Sequence, residues 1–198
     1  VAIQDAAKGV IVNASGVSSV RSMAVAGTAA GSVAVSISAS VPVITMNTQA
    51  VIGLNAQINK MAGAADALQS VSVAAASDVY ALGFSGAVAV GGSVGGGAGV
   101  NAMIVNTTTK ATVGGGTSDI AAMDDILVSA KATEDFGIWA IAGSGGGVAA
   151  IAGSGSALDL TTETTATLGG TAVAQGNVDV LAQDITRTGM MAGSVAIG

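Results

Sequence analysis

The sequence predicts an all-β chain, an elongated parallel β-helix (β-solenoid) built from repeats of about 52–61 residues, roughly two coils each. Three observations carry that prediction. Residues 10–53, 71–114 and 126–169 superpose without a gap over 44 residues, and a fourth, partial copy runs from 178 to 198. Apolar residues alternate with period 2 through much of each copy, which is the signature of a strand. The chain is 51% hydrophobic but only 2% aromatic, with 30 Gly, so its apolar content is mostly Ala and Val, suited to closely spaced sheets. A fixed core joined by connectors of varying length is how a stacked repeat reads. One array therefore covers residues 1–198, with repeats 10–70, 71–125, 126–177 and the partial repeat 178–198.

Each copy opens on a β-branched residue (Val10, Val71, Ile126, Val178), followed two residues later by Val12, Val73, Val128 or Val180 and then by Ala14, Ala75, Ala130 or Ala182. Stacking would turn these positions into ladders. Met23, Phe84, Trp139 and Met191 share the fourteenth position, where a large side chain is expected to fill a core otherwise made of Val and Ala. In the first copy Val33, Val35, Ile37, Ala39, Val41 and Val43 fall on one face, and Ser32, Ala34, Ser36, Ser38 and Ser40 on the other. The 54–70 connector is rich in Ala, Leu, Met and Gln and suggests a short helix. The second copy keeps the parity, with Val88, Val90, Val94, Val100 and Ile104 on one face. In the third, the parity slips between Ala157 and Leu158, so a non-uniform register is expected there.

Charged residues make up 9% of the chain, the net charge is -6, and six basic residues are scattered singly. That pattern argues against a nucleic-acid partner, which wants clustered Lys and Arg. Residues 22–59, 79–109 and 136–158 carry no charge, and each run is longer than the roughly 20 residues of a spanning helix. Their Gly content opposes a helix, at about 1 kcal/mol per Gly relative to Ala, and their period-2 alternation indicates strands. A membrane barrel is disfavoured by the lack of aromatic girdles.

Catalysis is not expected. The chain has no His and no Cys. Gly91–Gly95 matches a nucleophile-elbow pattern around Ser93, but a triad would need a His. The glycine runs at 95–99 and 143–147 lack the Lys-Ser/Thr of a phosphate loop and read as sites of close backbone approach. No cofactor is expected. Two acidic pairs, Asp124/Asp125 and Glu134/Asp135, offer hard oxygen ligands and are the candidates for Ca2+.

The segments IAGSGGGVAAIAGSGSALDLTTETTATLGG (141–170), GNVDVLAQD (176–184) and NTTTKATVGG (106–115) resemble the repeat arrays of large bacterial leukotoxin-like filamentous adhesins, haemagglutinin-like surface proteins of Gram-negative bacteria. The resemblance implies an elongated β-helix of alternating Gly-Ser-Ala-Val and Asn-Thr-Thr strands, exported by type V secretion to the cell surface. The expected function is a structural, non-catalytic segment of a secreted filament or adhesin stalk. It would assemble end to end or laterally with itself or with flanking repeats, and meet a host or neighbouring cell surface. The alternatives are an ice-binding solenoid, for which Thr107/Thr109 and Thr162/Thr164 supply a ladder that the first copy leaves incomplete with only Met46 and Thr48, a carbohydrate-binding solenoid, for which the single Trp139 and single Tyr80 are few aromatic platforms, and a membrane-embedded glycine-rich protein.

Overall fold

Alternation that runs for some twenty residues without a breaker makes unusually long strands. In the computed structural model, which describes residues 2–3, 8–59 and 66–198, all regular structure is β. After a short β1 (Ala2–Ile3), the first repeat gives β2 (Gly9–Ala30), β3 (Val33–Ser40), β4 (Val43–Ile52) and β5 (Gln57–Ile58). The second gives β6 (Ser70–Gly91), β7 (Val94–Val113) and β8 (Asp119–Ala122), and the third β9 (Ile126–Gly146), β10 (Ala149–Leu168) and β11 (Thr171–Ala174). β12 (Val178–Ile197) opens the fourth. At about 3.3 Å per residue, the 22-residue strands β2 and β6 extend some 70 Å.

Three parallel sheets result. A front sheet has the order β12-β9-β6-β2, a back sheet runs β10-β7 with β3 and β4 both on the far side of β7, and an end sheet runs β1-β5-β8-β11. Each of the three complete repeats visits front, back and end sheet in that order, so successive repeats enter each sheet in the same direction and pair in parallel. The expectation of two coils per repeat is therefore corrected. Among the described residues the ladders join strands of different repeats only, so a 44-residue core is a single passage of two long strands rather than two turns of about 20 residues. The one proline, Pro42, interrupts the back strand between β3 and β4. That strand lies at the sheet edge, where a missing N–H is tolerated.

The register is the gap-free alignment itself. Val10 faces Val71, Val71 faces Ile126 and Ile126 faces Val178. No slip occurs at Ala157 and Leu158, because β10 pairs with β7 without interruption from Ala149 to Leu168. What changes there is the side on which the apolar residues lie. Ile151 points outward, whereas Leu158 and Leu160 pack against an interior cluster of Ile44, Val79, Met103, Val105, Phe136 and Ile138.

The same exchange happens in every long strand. Near the end sheet the interior is conventional: Val71, Val73, Val113, Ile126 and Val128 are buried together with Ile58 and Ile120 of the end sheet, and Val10 and Val12 pack beside them. Toward the two-residue turns that join front to back sheet, the interior narrows to Ala34, Ser36, Ser38, Ser85, Ala87, Ala89, Ala140 and Ala142. A Cβ added to Gly97 would strike the Gly143 carbonyl oxygen, and one on Gly99 would lie 2.6 Å from that of Ile141, so the sheets here approach almost backbone to backbone. The residues with larger side chains face out instead: Val33, Val35, Ile37, Val41 and Val43 in the back sheet, and Val88, Val90 and Val195 in the front.

Two sequence expectations are corrected by this inversion. Met23, Phe84, Trp139 and Met191 do form one in-register column, Met23 beside Phe84, Phe84 beside Trp139, and Trp139 beside Met191. They fill no core: Met23 is 77% and Trp139 42% exposed, because this column has outward parity. The Val12, Val73, Val128, Val180 column does lie inward, although Val180, on the last front strand, stays exposed since the back sheet has no fourth strand opposite it. The short helix expected at 54–70 falls partly on residues 60–65, outside those described. The described part holds turns and β5.

Candidate functional site

Between the two apolar clusters runs a polar seam, formed where inward positions carry hydroxyls and acids. Ser77 and Thr109 hydroxyls are 2.6 Å apart across the sheets. One rung on, Glu134 is fully buried, and its two oxygens accept hydrogen bonds from the hydroxyls of Thr107 (3.1 Å) and Thr186 (3.2 Å). Thr186 lies 3.0 Å from Asp184, which also accepts from Thr164 at 3.0 Å. The strands place these groups simply by parity. Glu134 shares the inward face of β9 with Phe136 and Ile138, and Asp184 and Thr186 share that of β12.

The electrostatics follow from that position. Burial pushes the Glu134 carboxyl above its ordinary value, and the charge of Asp184 and a hydrogen bond with it push in the same direction. The donors Thr107 and Thr186 pull the other way. The net direction is upward, so Glu134 holds a proton more readily than a free carboxyl does.

This arrangement disperses the Ca2+ candidates. Glu134 and Asp135 are neighbours in sequence but project to opposite sides of the front sheet, Glu134 inward and Asp135 outward, as strand alternation requires. Asp124 accepts from the Ser70 hydroxyl at 3.3 Å, and Asp125 from the Asn177 N–H at 2.7 Å, so each ties one connector to the next repeat. Among the described residues no group of three or more acidic, His or Cys side chains gathers to hold a metal.

The ice-binding ladder is also displaced. Thr48, Thr107 and Thr109 are buried, and Thr162 and Thr164 have the same inward parity. The outward back-sheet columns near the end sheet carry Thr45, Asn106 and Thr161, then Asn47, Thr108 and Glu163. Glu163 meets Lys110 of the next strand at 2.7 Å, an exposed pair worth about 0–1 kcal/mol. Ser93 sits in a front-to-back turn. Its N–H donates to the Ser32 carbonyl at 2.8 Å, and its own carbonyl accepts from Val148 at 2.9 Å, so the turns form a ladder of their own.

On the front sheet Tyr80 and Trp139 both face outward, Tyr80 beside Asp135 and Trp139 beside Phe84. Tyr80 lies beneath the Arg21 guanidinium, 5.8 Å from the ring centre, at the border between charged and charge-free surface. Among the described residues, Ser36, Asn101 and Ser144 each keep a buried oxygen without a hydrogen-bond partner, all in the narrow part of the sandwich.

Sequence reasoning missed the Glu134–Asp184 pair. The signal was present, because Glu134 has the parity of Phe136 and Ile138. Comparison with known proteins finds no matching family model, no matching curated protein and no matching solved structure. No helix among the described residues is long and apolar enough to cross a membrane.

Proposed function

We propose that the chain is a structural, non-catalytic β-solenoid segment of a bacterial cell-surface filament or adhesin stalk, exported and self-assembling. The observation that carries this reading is the in-register parallel ladder between repeats together with its free edges. Among the described residues β2 and β12, the outermost front strands, each pair on one side only. A free parallel edge is a template for another strand of the same register, either a further repeat of one chain or a second subunit. Constant visiting order of the three sheets supports the solenoid, since each repeat then adds one layer at about 4.8 Å. Backbone ladders along the axis supply the mechanical strength, and contact with a host or neighbouring cell surface would be made by the outer faces or by regions beyond this array.

Cryo-electron microscopy of the purified chain tests it. Filaments with a repeat near 4.8 Å along the axis are expected. Discrete particles at high concentration, with both edges idle, would defeat the reading.

A further inference from the structure

Among the described residues β12 stands alone in its layer. The front sheet has the four strands β12-β9-β6-β2, whereas the back sheet has only β10, β7 and the interrupted strand β3/β4. β2, β6 and β9 each turn their inward side toward the back strand of their own repeat. That of β12 is open, with Val178, Val180 and Met190 exposed to 44%, 44% and 49%. Beside this open face β10 has a free edge. The result is a step one strand deep, and the two strands that form it are both 20 residues long. They lie level over their whole length: the Thr164 hydroxyl of β10 reaches Asp184 of β12 at 3.0 Å, and Gly198 lies beside Ala149 and Ala150.

We propose that this step is a docking site for a second copy of the chain, related by a twofold axis along the strands, so that each copy's β12 fills the place missing from the other's back sheet. The inference deepens the end-to-end half of the assembly reading and rests on it. A rotation about the strand direction exchanges front and back and reverses the direction of stacking, but leaves the strands pointing the same way. Front and back strands run in opposite directions, because a two-residue turn joins them. β12 of one copy therefore lies antiparallel to β10 of the other. The free edges of β12 and β10 are then paired in both copies, as in strand addition to an open sheet, and the contact is isologous and closed. Only the end sheets stay one layer apart. Head-to-tail stacking leaves more open: β12 would meet β2 of the next copy, but the back sheets would be separated by an empty layer along all of β10.

The side chains suit this partner. A twofold along the strands sets each β12 residue opposite its own copy, wide half on wide half and narrow on narrow. Toward the end sheet Val178 and Val180 meet their counterparts. Toward the turns the inward residues are Ala192, Ser194 and Ala196, in the columns of the buried Ala140, Ala142 and Ser144, and they are small as the narrow interior requires. The end face of the two-sheet sandwich measures about 66 Å by about 10 Å from strand rise and sheet spacing, roughly 1,300 Å² for two copies. That lies within the range of specific interfaces, which begins at roughly 1,200 Å². One contact is unfavourable at neutral pH. Asp184 faces its own copy, with Glu134 beside each, and these are the inward ionisable groups of the joint. Lys131 and Asp135 of β9, Asp159 and Glu163 of β10, Lys110 of β7, and Asp179 and Arg187 of β12 all have outward parity. Acid therefore strengthens the contact, because it neutralises four carboxylates that the joint brings together.

Cross-linking of the full chain tests the joint, since the protein has no cysteine of its own. Under mild oxidation Ala192→Cys should form disulfide-linked dimers, because the twofold sets residue 192 opposite itself where the sheets lie closest, whereas Met191→Cys, on the outer face of the same strand, should not. In sedimentation equilibrium wild type and Met191→Arg should dimerise alike, and Ala192→Arg should dimerise at least about tenfold more weakly, the effect of an unpaired charge shut into the joint. Far-UV circular dichroism should be unchanged in all, since residue 192 is exposed in the single copy. The wild-type dimer should be roughly tenfold tighter at pH 5 than at pH 7, the change that one unit of pKa produces, and Asp184→Asn should remove that dependence. Equal association of Ala192→Arg and wild type, equal cross-linking at 191 and 192, or a dimer indifferent to pH would each overturn the proposal. Filaments in which Ala192→Cys does not cross-link would defeat the twofold joint alone, and cross-linked dimers that never lengthen would defeat the filament reading alone.

Discussion

The two halves of each long strand obey opposite rules of burial. Near the end sheet, Val73 and Val128 are inside and Ala76 and Lys131 outside; near the turns, Ala89 and Ser85 are inside and Val88 and Val90 outside. Register and pleat continue unchanged between them. Alternation therefore assigns residues to two faces without saying which face is the core, and the choice is made by what can fit between the sheets. Bulky residues at 126, 136 and 138 hold the sheets apart in one half. Glycines at 95, 97 and 99 let them close in the other, so that apolar side chains have no interior to enter.

The comparison breaks most easily in the wide half. Phe136 is the largest fully buried side chain, and Phe136→Ala should lower unfolding stability by about 3–5 kcal/mol, read from urea midpoints. In the narrow half the sensitive change is the reverse, small to large. Gly97→Val would drive a side chain into the backbone of β9, with an expected loss of about 1–3 kcal/mol. A third change probes the polar seam inside the wide half. The Glu134 carboxyl is raised, so the folded chain holds this proton more tightly than the unfolded one. Its stabilisation is complete at pH below the ordinary value of 4.5 and is lost as pH rises through the raised value. Glu134→Gln should thus flatten the fall in urea midpoint between pH 4 and pH 7, and at pH 7 should be at least as stable as wild type. The smallest effect is expected on the outer face of the narrow half. Ile37→Ala, measured on the monomer, should shift stability by no more than about 0.5 kcal/mol, because Ile37 is 69% exposed.

Much of this fold is readable from the sequence. The ungapped alignment is the pairing register, residue for residue, because stacked layers must superpose in their paired part and only the connectors at 54–70, 115–125 and 170–177 may differ. Turn chemistry is partly visible as well: Gly116 and Gly170 take φ of 78° and 90° at the entry to the end sheet, and Asn55 takes 55° in the same turn of the first repeat. Three features resisted reading. The number of passages per repeat is hidden because strands of about 20 residues are far longer than the usual five or six. The size of Met23, Phe84, Trp139 and Met191 points to burial, whereas their parity with Val25 and Val88 puts the column outside. The Glu134–Asp184 pair joins residues on two strands, so neither local sequence reveals it, and grouping acids by adjacency pointed to Glu134/Asp135, which alternation separates.

The inversion itself is open to a direct test, since the chain contains no cysteine of its own. Single cysteines at 75 and 76 report on the wide half, and at 88 and 89 on the narrow half, with maleimide labelling rates of the native chain as the readout. Ala76→Cys and Val88→Cys should label at rates close to the unfolded chain, and Ala75→Cys and Ala89→Cys should be strongly protected. Protection at 88 with rapid labelling at 89 would mean that the apolar side faces inward in both halves, and would contradict the account.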